Sequence, residues 1–291
     1  MSEREGEAVG RGKLYLCATP IGNLEDITFR VVRILKEADL IAAEDTRNTI
    51  KLLNHFEIRT PMTSYHEYNK VEKARELVRR MQEGLQVALV TDAGTPAVSD
   101  PGEELVRQCV KAGVEVTSLP GASACITALT LSALPTRRFC FEAFLPADKA
   151  EREMVLQDLK RESRTILLYE APHRLKKTLE ELKQELGDRP LTLCRELTKK
   201  FEEVRYTTLA AETARLSEET PRGEYVLVIG GKSFDEQRQE KEENWRQMSV
   251  PDHMARYLEA GMDKKEAMKQ VAKDRGVPKR DIYQALLKLQ R

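Results

Sequence analysis

Apolar and polar positions along this chain follow two rhythms. Short apolar runs mark buried strands. Between them lie stretches in which apolar residues recur every third or fourth position, as on amphipathic helices. The order strand, helix, strand repeats, as it does in α/β proteins. Strands are predicted over 14–18, 40–43, 62–65, 87–90 and 114–118, with helices over 27–37, 50–56, 71–83 and 103–112. Val87-Ala88-Leu89-Val90 has no polar position, which suits a parallel strand covered on both faces. Residues 122–134 are small and apolar and predict a buried helix, after which Pro135-Thr136-Arg137-Arg138 breaks the pattern.

A second series follows. It has strands over 139–143 and 165–169, helices over 148–162 and 172–186, and strands over 191–195, 204–208 and 225–229. No long helix separates two of the later strands, so this half predicts a mixed sheet. Past Gly230-Gly231, residues 233–249 are polar and read as a linker or an exposed helix. Helices are predicted over 252–259, 264–275 and 281–289, the last burying Ile282, Leu286 and Leu289. Short helices joined at Gly276-Val277-Pro278 resemble a helix-turn-helix. The expected organisation is a disordered tail over 1–12, two α/β domains over 13–121 and 122–232, a linker over 233–249 and a helical domain over 250–291.

Composition changes this picture little. The 48 basic and 48 acidic side chains cancel, which argues against a globally basic nucleic-acid binder. Ten Lys/Arg against six Asp/Glu in 250–291 leave that segment at about +4, a local patch. The five cysteines are scattered and sit mostly in apolar elements, as free thiols in a reducing, cytoplasmic compartment do. No apolar run approaches the roughly 20 residues of a membrane span. The four histidines are far apart, Cys-x-x-Cys and His-Glu-x-x-His are absent, and no metal is expected. The G-x-G-x-x-G and Walker A fingerprints are absent too.

Candidate chemistry lies in three loops, each following a strand and each combining Gly with Pro. They are Thr19-Pro20-Ile21-Gly22-Asn23, Asp92-Ala93-Gly94-Thr95-Pro96 and Pro120-Gly121-Ala122-Ser123. If their strands are parallel, all three lie at the carboxyl edge of one sheet, where α/β sheets bind ligands. Ordinary βα turns are the plainer reading of any one of them.

These strings resemble the tetrapyrrole-methylase (class III) S-adenosylmethionine-dependent methyltransferases. Asp92-Ala93-Gly94-Thr95-Pro96-Ala97-Val98-Ser99-Asp100-Pro101-Gly102 and Leu119-Pro120-Gly121-Ala122-Ser123 carry the resemblance. Ala18-Thr19-Pro20-Ile21-Gly22-Asn23-Leu24, Ala43-Glu44-Asp45-Thr46-Arg47, Tyr169-Glu170-Ala171-Pro172-His173-Arg174, Arg195-Glu196-Leu197-Thr198-Lys199-Lys200 and Gly223-Glu224-Tyr225-Val226 narrow it to an RNA-modifying branch. The first loop departs from the Gly-rich, acid-ending loop of the tetrapyrrole enzymes, which points away from a tetrapyrrole substrate. The resemblance implies a homodimer, two α/β domains per subunit and S-adenosylmethionine folded in the cleft between them. It also implies 2′-O-methylation of a cytidine ribose in the decoding region of 16S ribosomal RNA, within the small ribosomal subunit. The alternatives are a tetrapyrrole methyltransferase of the same fold and a non-catalytic helix-turn-helix regulator.

Such a cofactor needs a slot for adenine, acceptors near its cations and donors near its carboxylate. Pro20, Gly22, Asp92, Gly94, Thr95, Pro96, Val98, Ser99, Pro120, Ala122 and Ser123 are the candidates from the three loops. Free amides at the start of the 122–134 helix are further donors. Tyr169, Ala171 and Leu227 are expected to line the adenine slot. Glu44 or Asp45 is a candidate base or ribose-orienting group, and Arg47 a phosphate contact; the alternative is that Asp45 or Thr46 caps a helix. Arg137, Arg138, Lys199 and Lys200 are expected phosphate contacts, with Lys279, Arg280 and Lys288 outward on the last helix; solvated surface charge is the alternative for each.

Overall fold

The computed structural model describes residues 12–288; Leu289 and nearly all of the expected tail fall outside them, as do the side chains of 240–242, 244, 246 and 288. The first sheet is built from β1 (Lys13–Cys17), β2 (Leu40–Ala43), β3 (Met62–Ser64), β4 (Gln86–Val90) and β5 (Glu115–Leu119). Their order is β3-β2-β4-β1-β5 and every pairing is parallel. Alternate residues face opposite ways, so each strand feeds two cores. Leu14, Leu40, Val87 and Leu89 pack on α3 (Lys70–Gln82) and α4 (Gly102–Lys111). Cys17, Ile41, Ala88 and Val90 pack on α1 (Phe29–Glu37) and α2 (Thr46–His55). Neighbours β1 and β4 therefore send their following helices to opposite faces, which makes the carboxyl end of this pair the switch point of the sheet.

The second sheet contains β6 (Phe139–Phe141), β7 (Thr165–Glu170), β8 (Pro190–Arg195), β9 (Glu203–Thr208) and β10 (Tyr225–Ile229), in the order β6-β7-β10-β8-β9. Only β6 and β7 run parallel, so the sheet is mixed as expected. One face packs against α6 (Lys149–Arg161), α7 (Pro172–Leu186) and α8 (Leu209–Glu218) through Ile166, Leu168, Leu193, Leu227 and Ile229. The other face, with Leu167, Cys194, Val226 and Val228, meets α5 (Ala124–Leu131) and Ile21 from the first loop. Helix α8 is absent from the sequence expectation. Thr208 caps its start, its hydroxyl accepting from the Ala211 N–H (3.2 Å).

Both sheets belong to one compact unit, formed by the described residues up to Lys160 and by Arg164–Gly230. The second unit comprises Arg161–Ser163 and the described residues from Gly231 onward. It contains α9 (Phe234–Gln247), α10 (Val250–Glu259), α11 (Lys264–Asp274) and α12 (Lys279–Lys288) around Met254, Ala267, Val271 and Ile282. Buried His253 stacks on Trp245 at 4.0 Å and accepts from the Arg275 guanidinium, so it is a packing residue of this unit. All five cysteines are free. Among the described residues no helix is long and apolar enough to cross a membrane, and no cluster of His, Cys, Asp and Glu is arranged to hold a metal.

Leu227 is fully buried on the helix-covered face, so Leu227→Ala leaves a cavity in the core. Its unfolding free energy in urea titration is expected to fall by about 2–5 kcal/mol.

Candidate functional site

Three loops converge at the carboxyl edge of the first sheet, and hydrogen bonds join them. The Thr19 N–H donates to the Gly94 carbonyl (2.9 Å) and the Gly94 N–H returns a bond to the Thr19 carbonyl (3.1 Å). The Thr95 hydroxyl donates to the Ala122 carbonyl (3.0 Å), bringing in the third loop. Gly94 has φ +86°, a conformation that other residues adopt only under strain. Ala97 and Ser99 nevertheless sit at φ +67° and +68°. Asp100 holds them there: its carboxylate accepts from the N–H groups of Ala97 (2.9 Å), Val98 (3.2 Å) and Gly102 (2.8 Å). Burial raises the Asp100 pKa in spite of these bonds.

Between these loops and the second sheet lies a cleft of about 490 Å³. Ile21, Gly94, Thr95, Val98 and Ser123 line it on the loop side. Phe144, Tyr169, Ala171, Leu197 and Val226 line it on the other. The Tyr169 hydroxyl accepts from the Cys125 N–H (3.1 Å), so this amide at the start of α5 is already partnered. Its ring meets the edges of Phe141 and Phe144. Burial pushes the Tyr169 pKa upward, keeping the hydroxyl neutral. Below the Ala171-Pro172 turn, buried Glu170 accepts from the Ala171 N–H (2.9 Å) and the Thr178 hydroxyl (2.5 Å). Arg152 in turn donates to Thr178 (2.8 Å) and Glu181 (2.6 Å), which fixes the turn from beneath.

A second depression, about 360 Å³, adjoins the cleft and shares Ile21, Ala93 and Glu224 with it. It carries more charge than the cleft, whose lining includes Glu170, His173 and Glu224: Asp92, Lys51, Lys199 and Glu224 line it with Pro20, Gly22 and Asn48. Lys199 pairs with Glu196 (3.0 Å) and Glu224 (2.8 Å). These carboxylates hold its pKa above the usual lysine range against the opposing effect of burial. Its stem crosses Gly22, where an added Cβ would lie 2.4 Å from Lys199 Cγ. Nearby, Asp45 caps α2 through the Arg47 N–H (2.8 Å) and binds the Arg47 guanidinium with both oxygens (3.0 and 2.7 Å). Arg47 holds its pKa down to about 2. Glu44 accepts from the Thr91 hydroxyl (2.7 Å) and the Asp92 N–H (3.4 Å).

The candidates from the sequence thus divide. Gly94, Thr95, Val98, Ser123, Tyr169 and Ala171 line the cleft, whereas Pro20, Gly22 and Asp92 line the depression. Pro96 is buried, Pro120 and Ser99 are exposed, and Ala122 contributes its carbonyl to Thr95. Leu227 does not line the slot: it faces the helices, and its neighbour Val226 takes the place on the cleft wall. The apolar run from Tyr225 to Ile229 is buried at every position, so alternation carried no phase there. Arg137, Arg138 and Lys200 are exposed, and Lys200 lies over the Phe201 ring. Lys279 and Arg280 are exposed at the start of α12; the Lys288 side chain lies outside the described residues. Phe144, Leu197, Glu224 and Asp100 were missed. The Gly223-Glu224-Tyr225-Val226 string was the one signal that pointed to Glu224 and Val226.

S-adenosylmethionine fits these residues. The cleft lies in the usual size range for a small-molecule site, with apolar walls and few polar groups. Ile21, Val98, Leu197, Val226 and the Tyr169 ring suit an adenine, and the Glu224 carboxylate at the border with the depression suits a cationic group. Residues 13–212 match the family model of tetrapyrrole (corrin/porphyrin) methylases. The chain is 50% identical to ribosomal RNA small subunit methyltransferase I of Halalkalibacterium halodurans, over 94% of each chain. It is 48% identical to the protein of that name from Synechocystis, over 96% of this chain and 99% of the other. For the Escherichia coli O157:H7 protein of that name the figures are 40% and all of both chains. Among solved structures, the methyltransferase CobJ superposes with a TM-score of 0.58 at 21% identity, covering 76% of this chain and 94% of that one. Uroporphyrin-III C-methyltransferase from Thermus thermophilus, complexed with S-adenosylhomocysteine, gives 0.52 at 23%, covering 75% and 97%. The chain is an S-adenosylmethionine-dependent methyltransferase and belongs to the tetrapyrrole (corrin/porphyrin) methylase family.

Proposed function

We propose that this enzyme methylates the 2′-hydroxyl of a cytidine in the decoding region of 16S ribosomal RNA, acting as a homodimer on the small ribosomal subunit. The observation that carries this reading is the pairing of a mostly apolar cleft with a more highly charged, open depression across a shared wall. The first suits a cofactor and the second a ribose-phosphate acceptor. Relatives matched over nearly their whole length, and named for small-subunit ribosomal RNA, support the choice of acceptor.

When bound, S-adenosylmethionine supplies a methyl group on a sulfonium, which an oxygen attacks in line. The chain's part is alignment. The Thr19–Gly94 bridge and the Thr95–Ala122 bond fix the loop side of the cleft. The Tyr169–Cys125 bond and the Glu170 network fix the opposite side. Holding two reactants in such a frame removes much of the entropic part of the barrier. Apolar walls exclude water that would compete for the methyl group. Lys199, kept cationic by two carboxylates, offers a phosphate or ribose oxygen a donor at the mouth of the depression. Exposed Lys279 and Arg280 of the second unit add a salt-sensitive grip on RNA phosphates.

Incubation with labelled S-adenosylmethionine and 30S subunits, naked 16S RNA or a tetrapyrrole distinguishes the substrates. Label on a ribose oxygen of the 30S RNA is expected; label only on the tetrapyrrole would sink the reading. Thr95→Val keeps the shape of the loop but removes its bond to Ala122. Cofactor affinity measured by calorimetry should weaken about 3- to 10-fold, the range a single lost hydrogen bond allows. Reversing charge at Lys279 and Arg280 to Glu should raise KM for 30S subunits and flatten its salt dependence while leaving cofactor affinity unchanged.

A further inference from the structure

We propose that Asp92 is the group that accepts the proton of the attacking hydroxyl, an assignment that rests on the ribose methylation proposed above. Three carboxylates cluster at the ends of β2 and β4, and their geometry separates them. Asp45 spends both oxygens on Arg47 and on the cap of α2. Glu44 is turned back into the loop, where the Thr91 hydroxyl and the Asp92 N–H engage its Oε2. Asp92 is the one of the three that lines the depression.

Its place relative to the cleft is specific. The next residue, Ala93, lines both cavities, so Asp92 stands one residue from the cofactor wall on the acceptor side. The Asp92 backbone is held by the bond from its N–H to Glu44, and its side chain is exposed on the wall of the depression. A hydroxyl entering the depression would therefore meet a carboxylate beside the cleft. The charged groups around it are Glu44 and Asp45 at the end of β2, Arg47 and Lys51 on α2, Lys199 in the loop after β8 and Glu224 just before β10. Partial burial and the negative charges of Glu44 and Asp45 raise its pKa from the ordinary aspartate value, which strengthens it as a base although the side chain stays exposed.

The step balances without a further reactant. An oxygen lone pair forms the bond to the methyl carbon, and the electron pair of the breaking sulfur–carbon bond stays on sulfur, leaving a neutral thioether. The hydroxyl proton passes to the Asp92 carboxylate and from there to solvent. Below its pKa the carboxyl is already protonated and cannot accept, so the rate falls as pH falls.

The test compares wild type with Asp92→Asn in single turnover at saturating cofactor, on 30S subunits, from neutral pH down to the lowest pH at which both proteins stay folded. The wild-type rate should rise with pH to a plateau. Asp92→Asn should lose that rising limb and run at least about 100-fold slower, the usual contribution of a general base. Its cofactor Kd by calorimetry should stay within about threefold. A variant that keeps the pH limb, or whose slow rate tracks a lost cofactor affinity, overturns the assignment and returns Asp92 to cofactor binding. Absence of label from the wild-type reaction would instead overturn the ribosomal RNA reading, and the assignment with it.

Discussion

The site depends on two reciprocal backbone hydrogen bonds between Thr19 and Gly94. Each loop on its own has many conformations, and ordering a residue costs about 1–2 kcal/mol. The bridge joins the ends of β1 and β4 at the switch point of the sheet, so ordering one loop orders the other. Thr95 passes the constraint to Ala122, and through it to the start of α5. Strain is stored on the same path. Left-handed Ala97 and Ser99 cost on the order of 1–3 kcal/mol each. Three N–H bonds to the Asp100 carboxylate, at roughly 1.5–3 kcal/mol each, contribute enough to hold them.

Much of the fold was legible because its signals are local. The apolar strands, the turn residues behind them and the gap without a helix between β8 and β9 are all written in short stretches of chain. The same stretches put the three Gly-Pro loops at one edge. Long-range contacts were not legible. That the stem of Lys199 crosses Gly22, or that the Tyr169 hydroxyl partners the Cys125 amide in the first turn of α5, depends on how two sheets meet. Asp45 illustrates a different limit. Its strand-end position suits a base and a cap equally well; the bond from the Arg47 N–H makes it a cap, and the Arg47 guanidinium occupies both its oxygens.

The two adjoining cavities divide the electrostatic work. A methyl donor needs apolar walls for its adenine with an acceptor such as Glu224 near its cations, whereas a ribose-phosphate acceptor needs charged groups in contact with water. Ala93 and Glu224 mark the boundary between the two environments. The ion pairs of Lys199 hold its charge at the rim, outside the apolar space.

Strand β10 alternates between these demands residue by residue. Val226 looks onto the cleft, and Leu227 looks into the helical core. Rigidity and ligand preference are therefore set by separate side chains on one backbone. A chain built this way can exchange side chains on one face of the strand to suit a different cofactor shape or neighbour, while the opposite face keeps the scaffold intact. Substrate range and durability can drift apart over evolutionary time without either having to wait for the other.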